Sequence, residues 1–586
     1  MGNHAAKQNL DEALKRAETR VGKVAVTGRY HRTPKRLADD YIVEQKVLGT
    51  GYNGQVYMAR GRNNSSKYAV KGFRLHGINR EKREELVSEC EIFLAMDFPH
   101  VARLVDVYES EDKLDLVMEC MAGGELFSRV QSRKRFKEND AAVAVQQVLL
   151  AINYLHKHDV VHRDIKLENF LYESADSDHL KLIDFGFSKV WQPDTRMALS
   201  CGTLSYVAPE VLKKNYTSQC DLWSVGVLTF ILLSGYMPFS GDECNQIKKI
   251  EAGQFDWKEV RWKTVSNVAR DFVKGLLVVD PVKRMTAEQA LGHGFITDVS
   301  RKEGEGLNAE TVSALAQFGQ ASAFRRACMC VMAWSLSNDE RKDVRQAFLD
   351  MDPGRTGVVS LCVFKEVLEQ RFHIHDKQAV EIFEALDQNH TDEIHYSEFL
   401  AAMCSTRIKL HDNLLKATFN RFDTDKTGYI SVTNLKDVLG DKFDTKEVEK
   451  MIEEADIKKD GKISYDEFME YLRHPEAASH HIDAAAILVD STVTKAHAYR
   501  DSEESELSVS KDVSKGMMPK LGEVSCRGMS SKRVCSSFDG PGSQRSDDAV
   551  NTDGVKVVLE GEQRQPNTTT SRDDKTTAVK CTCNLL

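Results

Sequence analysis

The chain has 586 residues, a net charge of −9, and 41% hydrophobic against 29% charged residues. That length is too great for one core and points to two or three domains with tails, in an ordinary soluble globular composition. The acidic excess argues against a nucleic-acid partner, and the 13 cysteines lack the paired spacings of a zinc site, so a reduced cytoplasmic setting is expected.

Residues 1–40 are mostly polar and read as a disordered segment with a short helix over residues 10–19. The start lacks the apolar core of a signal peptide. Gly2 is a candidate for N-myristoylation, although Ala6 stands where Ser or Thr is favoured.

Leu48-Gly49-Thr50-Gly51-Tyr52-Asn53-Gly54-Gln55-Val56 follows a strand-like Tyr41-Ile42-Val43. Glycines there let backbone N–H groups approach phosphate oxygens. A second strand-like stretch, Gln55-Val56-Tyr57-Met58-Ala59, comes next, whereas a dinucleotide-binding loop would open a helix. Lys71 ends the apolar run Tyr68-Ala69-Val70 and is expected to bind α- and β-phosphates. Further on, Val161-His162-Arg163-Asp164-Ile165-Lys166-Leu167-Glu168-Asn169 precedes Asp184-Phe185-Gly186. The pair supplies what phosphoryl transfer asks for: Asp164 to orient a hydroxyl and accept its proton, Lys166 to steady the moving phosphoryl, Asn169 and Asp184 to hold magnesium. A satisfied loop polar group explains any one of these residues; it does not explain the ordered set.

With Ala208-Pro209-Glu210, these motifs stand in the order of the protein-kinase signature set, and residues 42–296 resemble a Ser/Thr protein kinase. The resemblance implies ATP and magnesium as cofactors. It implies that Glu89, with Glu91 as rival, pairs with Lys71, and that Leu48, Gly49, Gly51, Gly54, Val56, Met118, Glu119 and Met121 surround the nucleotide. It further implies that Asp221 braces the catalytic loop and that Arg284 pairs with Glu210. Glu125 stands where related kinases receive an Arg three residues before the target hydroxyl, and Glu168 is placed to help. Ile231 occupies the position of a second acid, so one upstream basic residue is expected in substrates. Thr203 fits the Ser/Thr class. Leu199 replaces the usual activating threonine and Ser200 lies out of register, which favours control other than loop phosphorylation. The apolar run over residues 222–233 is too short for a bilayer and reads as a buried helix.

Residues 300–337 have a broken helical rhythm and the basic pair Arg325-Arg326. They read either as a connecting helix packed on a neighbour or as an autoinhibitory junction that occupies the substrate cleft or clamps the kinase. Over residues 340–474 four helix–loop–helix segments recur about every 33 to 36 residues, opening at Asp352, Asp387, Asp423 and Asp456. Val359, Ile394, Ile430 and Ile463 are placed for the small β-bridge that pairs two loops. These are EF-hand-like units and together resemble a calmodulin-like domain. A calcium loop needs oxygen at positions 1, 3, 5, 7 and 12, with Gly at 6. Loop one, with Gly354 at position 3 and Val363 at 12, is expected to be dead. Loop two offers Asp387, Asn389, Thr391 and Glu398, with Asp392 obliged to take a positive φ. Loop three offers Asp423, Asp425 and Thr427, but Asn434 ends it. Loop four offers Asp456, Asp460 and Glu467, but Lys458 occupies position 3. The expected order for calcium is two, four, three, one; the alternative is a module for packing or partner binding alone.

Kinase, junction and four hands together resemble the calcium-dependent protein kinases of plants and protists over residues 42–474. The implied fold is α+β: a bilobal protein-kinase fold, with a β-rich N-lobe and an α-rich C-lobe, followed by an all-α EF-hand domain, with disordered termini. The implied activity is calcium-regulated transfer of the ATP γ-phosphoryl to Ser or Thr of proteins carrying an upstream basic residue, through contact between hands and junction. The alternatives are an active kinase whose hands do not sense calcium and a non-catalytic kinase-fold scaffold. Residues 475–586 are rich in Ser, Asp, Thr, Lys and Gly and read as a disordered tail. The tail ends Cys583-Asn584-Leu585-Leu586, a C-a-a-X frame that makes Cys583 a prenylation candidate and Cys581 a palmitoylation candidate. Two lipids would give stable peripheral membrane anchoring.

Overall fold

The computed structural model describes residues 2–473 apart from 23–25, 52–53, 63, 65, 192–196, 198–201, 299–306, 405–407, 409 and 440–443. The tail over 475–586 with Cys581 and Cys583, and the activation-segment residues Leu199 and Ser200, lie outside the described residues.

The N-lobe is a six-stranded sheet. Its strands are β1 Tyr30–Arg32, β2 Tyr41–Gly51, β3 Gly54–Gly61, β4 Lys67–Arg74, β5 Leu104–Glu109 and β6 Lys113–Glu119, in the order β1-β5-β6-β4-β3-β2. All neighbours are antiparallel except β1 on β5. Val70 and Phe73 of β4 are buried on opposite faces of the sheet, and the register places Lys71 opposite Val56 and Leu116. Helix α2 (Arg80–Ala95) starts at Asn79, whose side chain accepts the Lys82 N–H, and buries Leu86, Val87, Cys90 and Phe93.

In the C-lobe, α3 (Glu138–Lys157) and α4 (Gln219–Ser234) form the central layer. Every residue from Cys220 to Ser234 is buried, so the apolar run is indeed a core helix, and no described helix is long and apolar enough to cross a membrane. The hairpin of β7 (Phe170–Tyr172) and β8 (Leu180–Leu182) lies beneath the hinge.

Within the first forty residues the helix expected over 10–19 is present and longer. Helix α1 (Gly2–Val21) packs along α2. Leu10, Ala13, Ala17 and Val21 fall on one face and are buried, and Arg16 donates to both Glu91 oxygens at 2.9 and 2.7 Å. This 3–4 spacing is a helical stripe whose two central residues are alanines with little transfer energy.

The junction forms α5 (Ala309–Gln320) and α6 (Ala323–Ser335), each started by a side-chain cap, from Asn308 and Ser322. Eight helices follow in four hands: α7 (Asn338–Met351), α8 (Leu361–Phe372), α9 (Asp376–Leu386), α10 (Tyr396–Met403), α11 (Asp412–Phe422), α12 (Val432–Leu439), α13 (Thr445–Ala455) and α14 (Tyr465–Arg473). Val359 pairs with Ile394 and Ile430 with Ile463, joining the loops two by two. Helix α5 packs on α9 and α10, and α6 on α10, α11 and α13, so the described junction lies in the grip of the hands.

Replacing Ala17, which is fully buried, with Glu sets an unpaired charge against α2 and is expected to cost about 2–4 kcal/mol. Amide exchange of residues 2–22 should then approach free-peptide rates while the C-lobe stays protected; unchanged protection would show that α1 is not held by this face.

Candidate active site and calcium loops

Lys71 is the centre of the cleft. Its ammonium donates to Glu89 Oε1 at 2.5 Å and to Asp184 Oδ1 at 3.0 Å, so α2 and the Asp184-Phe185-Gly186 loop meet on one cation. Burial opposes that charge, but the two carboxylates outweigh it and leave the Lys71 pKa raised. Burial likewise pushes Asp184 up, yet Lys71 and the Gly186 N–H bring its pKa below the usual carboxylate range. Glu91, the rival of Glu89, faces Arg16 instead. Phe185 is buried and packs between Phe93 of α2, at a tilt, and the ring of His162, edge-on, which holds the loop inward.

Asp164 lies opposite. Its Oδ2 accepts from Lys166 at 2.5 Å, and its Oδ1 accepts from the Thr203 N–H and hydroxyl at 3.1 and 3.0 Å. Asn169 Nδ2 donates to the Asp164 carbonyl at 2.8 Å. The loop is tied from below by Asp221, which accepts the N–H groups of His162 and Arg163, and Arg163 takes a positive φ of 68° to allow it. The Arg163 guanidinium itself donates to the Phe187 carbonyl and the Tyr216 hydroxyl. Arg284 grips Glu210 through two bonds of 2.6 and 2.9 Å.

Around the nucleotide space, Gly49 pairs with Val56 and Gly51 with Gly54 at the end of the β2–β3 hairpin, whose tip at Tyr52 and Asn53 lies outside the described residues. Leu48 is 40% exposed, Gly49 has open space beside it and Gly54 has φ 137°. Met118 is half-buried opposite Ala69. The Glu119 carboxylate is committed elsewhere: it accepts from Lys181 at 2.7 and 2.8 Å and from Arg341 at 2.5 Å. Met121 lies two residues on, in the hinge. The donor set fits magnesium and a triphosphate: the buried Asp164, the half-buried Asp184, an amide and a cation converge on one cleft.

Glu125 and Glu168 form an acidic mouth. Burial raises both pKa values, and Glu125 and Asp164 raise that of Glu168 further; Glu168 Oε2 is buried without a hydrogen-bond partner among the described residues.

All four EF-hand loops are folded around their first aspartate. In loop two, Asp387 accepts the N–H groups of Thr391 and Asp392, and Asp392 takes φ 62° as expected. Glu398 accepts from the N–H groups of Gln388, Asn389 and His395. Burial holds the Glu398 pKa well above the usual carboxylate range, and Asp387 nearby adds to the shift. The donors Asp387, Asn389, Thr391 and Glu398 therefore fit calcium. In loop three, Asp423 and Asp425 both take the Thr427 N–H, but Asn434 uses its amide to cap Ser431 and to donate to Thr424. In loop four, Asp456 accepts from Asp460 and Gly461, while the Lys458 ammonium sits 3.7 Å from Glu467. It stands toward the ligand position rather than swinging clear. Among the described residues no three His, Cys, Asp or Glu side chains gather as a ready-made metal cluster, and the three acids of loop four are included in that statement.

The protein kinase domain family matches residues 42–296, and the EF-hand domain pair family matches residues 341–404 and 412–473. Calcium-dependent protein kinase 3 of Oryza sativa subsp. japonica is 34% identical over 446 residues, covering 74% of this chain and 80% of the relative. Calcium-dependent protein kinase 4 of Plasmodium falciparum (isolate 3D7) is 32% identical over 449 residues, covering 73% and 85%. Calcium-dependent protein kinase 7 of Arabidopsis thaliana is 33% identical over 442 residues, covering 73% and 82%. The chain belongs to the calcium-dependent protein kinase family. It is a serine/threonine protein kinase with an EF-hand domain.

For a kinase of this family, the sequence pointed to the cleft and missed its support. Lys181, Arg341, Arg345 and Glu173 form a buried ion network behind the hinge, and Arg421 reaches Asp106 at 2.9 Å. The only local signal was a lysine between two buried leucines, Leu180 and Leu182.

Lys71→Met leaves Glu89 and Asp184 facing each other without the cation. The turnover of the full-length protein on a serine peptide should fall by about 100-fold or more, and a loss under threefold would contradict this geometry.

Proposed function

We propose that this kinase transfers the ATP γ-phosphoryl to Ser or Thr hydroxyls that follow an upstream basic residue, and that hand two is its main calcium sensor. The observation that carries the first part is the Lys71 ammonium held between Glu89 and Asp184, opposite Asp164. In this reading Lys71 binds the α- and β-phosphates, and Leu48, Gly49, Gly51, Gly54, Val56, Met118, Glu119 and Met121 enclose the nucleotide. Asn169 and Asp184 hold magnesium, which when bound neutralises phosphate charge. Asp164 orients the incoming hydroxyl and takes its proton, Lys166 steadies the phosphoryl oxygens, and Thr203 fixes both.

Glu125 and Glu168 receive a substrate guanidinium. The buried, unpartnered Glu168 oxygen supports this reading, since pairing with Arg relieves its desolvation.

Hand two is favoured as sensor because it keeps its ligands and because its neighbours reach the catalytic helix. The Ser397 N–H donates at 2.7 Å to Asp97, two residues beyond α2, and Gly22 at the end of α1 lies against Asn389. Arg163 is already satisfied by protein groups, which supports control by the hands rather than by a phosphorylated loop. Held by the hands, the junction leaves the cleft open; released, it is the segment free to obstruct it. The proposed setting is cytoplasmic, with lipid at Gly2, Cys583 or Cys581 as the route to a membrane surface.

A kinase assay on a basic serine peptide with and without calcium tests the regulation. Glu398→Gln is expected to raise the calcium needed for half-activation about tenfold or more; equal activity of the wild type in calcium and in chelator would instead establish hands that do not sense the ion. Glu168→Gln should raise the peptide KM about tenfold for a substrate with Arg three residues upstream and leave an Ala-substituted peptide unaffected. An equal effect on both peptides would remove Glu168 from substrate recognition.

A further inference from the structure

Hand one has lost its calcium ligands yet is the hand most deeply joined to the kinase. Arg341 and Arg345 of α7 are 2% and 8% exposed. Two guanidinium groups buried in an interface are costly unless each meets a carboxylate. Arg341 donates to Glu119 at 2.5 Å, and Arg345 donates to both oxygens of Glu173 at 2.9 Å. Lys181 joins the two acids, at 2.7 and 2.8 Å from Glu119 and 3.9 Å from Glu173. The charges therefore alternate along Arg341, Glu119, Lys181, Glu173 and Arg345.

This chain of charges crosses from one lobe to the other. Glu119 ends β6 and opens the hinge, while Glu173 and Lys181 belong to the β7–β8 hairpin of the C-lobe. The Glu119 carboxylate also accepts the Arg103 N–H at 2.7 Å. Below it, loop one presses on α3: Asn153 donates to the Arg355 carbonyl at 2.6 Å, and Arg355 donates to the Leu291 carbonyl at 3.1 Å. Gly357, at φ 85°, lies so close that a Cβ there would stand 2.2 Å from the Tyr154 ring. Within loop one Asp352 accepts the N–H groups of Thr356 and Gly357.

We propose that hand one is a calcium-independent clamp, in which Arg341 and Arg345 are positioning residues that set the hinge for nucleotide binding. Lys181 and Arg341 hold Glu119 far below the usual carboxylate range against the push of burial, while burial and the neighbouring Arg341 bring Lys181 down to about 7. The inference rests on the family's kinase reading of the cleft, not on calcium sensing by hand two.

The test is calorimetric binding of Mg·ADP to full-length wild type, Arg341→Met, Arg345→Met, the double variant and Arg341→Lys, each in calcium and in chelator. The readout needs no activation, so a failure of calcium regulation leaves it interpretable. The double variant should bind Mg·ADP about five- to tenfold more weakly, equally in calcium and chelator. Arg341→Lys should recover most of the loss, because it keeps the charge opposite Glu119. Unchanged affinity in the double variant, even with a lowered melting temperature, would make the pair merely structural and overturn the proposal. So would a loss seen only in chelator. If the double variant does not fold, the single variants are read by the same criteria.

Discussion

A buried ammonium must be paired, and at Lys71 the partners come from two separate pieces of the molecule. Glu89 is delivered by α2, Asp184 by the C-lobe. The cation therefore exists in a low-dielectric cleft only while α2 lies against the sheet and the Asp184 loop points inward. Breaking either contact leaves an uncompensated charge, at about 3–5 kcal/mol. Much of the remaining architecture serves to keep those two carboxylates in place.

Helix α2 is the element through which that constraint reaches the rest of the chain. Residues two apart on a helix do not share a face, so Glu89 points to the cleft while Glu91 points out to Arg16 of α1. Just beyond the helix, Asp97 accepts the Ser397 N–H from hand two. One helix thus carries a catalytic contact, a brace from the N-terminal segment and a contact from the calcium domain. Erosion of the calcium loops follows the same division: loop two, which reaches Asp97, keeps its ligands, whereas loop one spends its surface on docking. In loop four an ammonium faces the acid that would bind the ion, and in loop three an amide has replaced it.

What was readable in the sequence is what chemistry fixes locally. Phosphoryl transfer demands a small number of residue types at short spacings, and the calcium loop demands oxygens at fixed positions, so both stood out. The choice between Glu89 and Glu91 was not local; it depends on which face α2 turns to the sheet. The N-terminal helix was legible only over residues 10–19, and its packing on α2 was not, because alanines make a weak stripe. The network of Arg341, Glu119, Lys181, Glu173 and Arg345 has no sequence pattern, since its partners are far apart in the chain and each is an ordinary charged residue until burial makes pairing obligatory.

The resting place of the junction bears on how much work calcium must do. Helix α6 ends with Trp334, which is 6% exposed and lies under the guanidinium groups of Arg29 and Arg103, at 3.6 and 4.3 Å from the ring centre. Arg103 also donates to the Ala333 carbonyl at 2.7 Å. These contacts with the N-lobe add to the grip of the hands on the junction. A two-state switch from 1:99 to 99:1 needs about 5.5 kcal/mol of differential binding, and one site at a thousandfold excess over its Kd supplies about 4.1 kcal/mol. A single good loop thus comes close to driving the change, provided little else must rearrange. A hand one that stays docked meets that condition: it keeps one end of the module on the kinase, so calcium has to move only the remaining hands and the helix they hold.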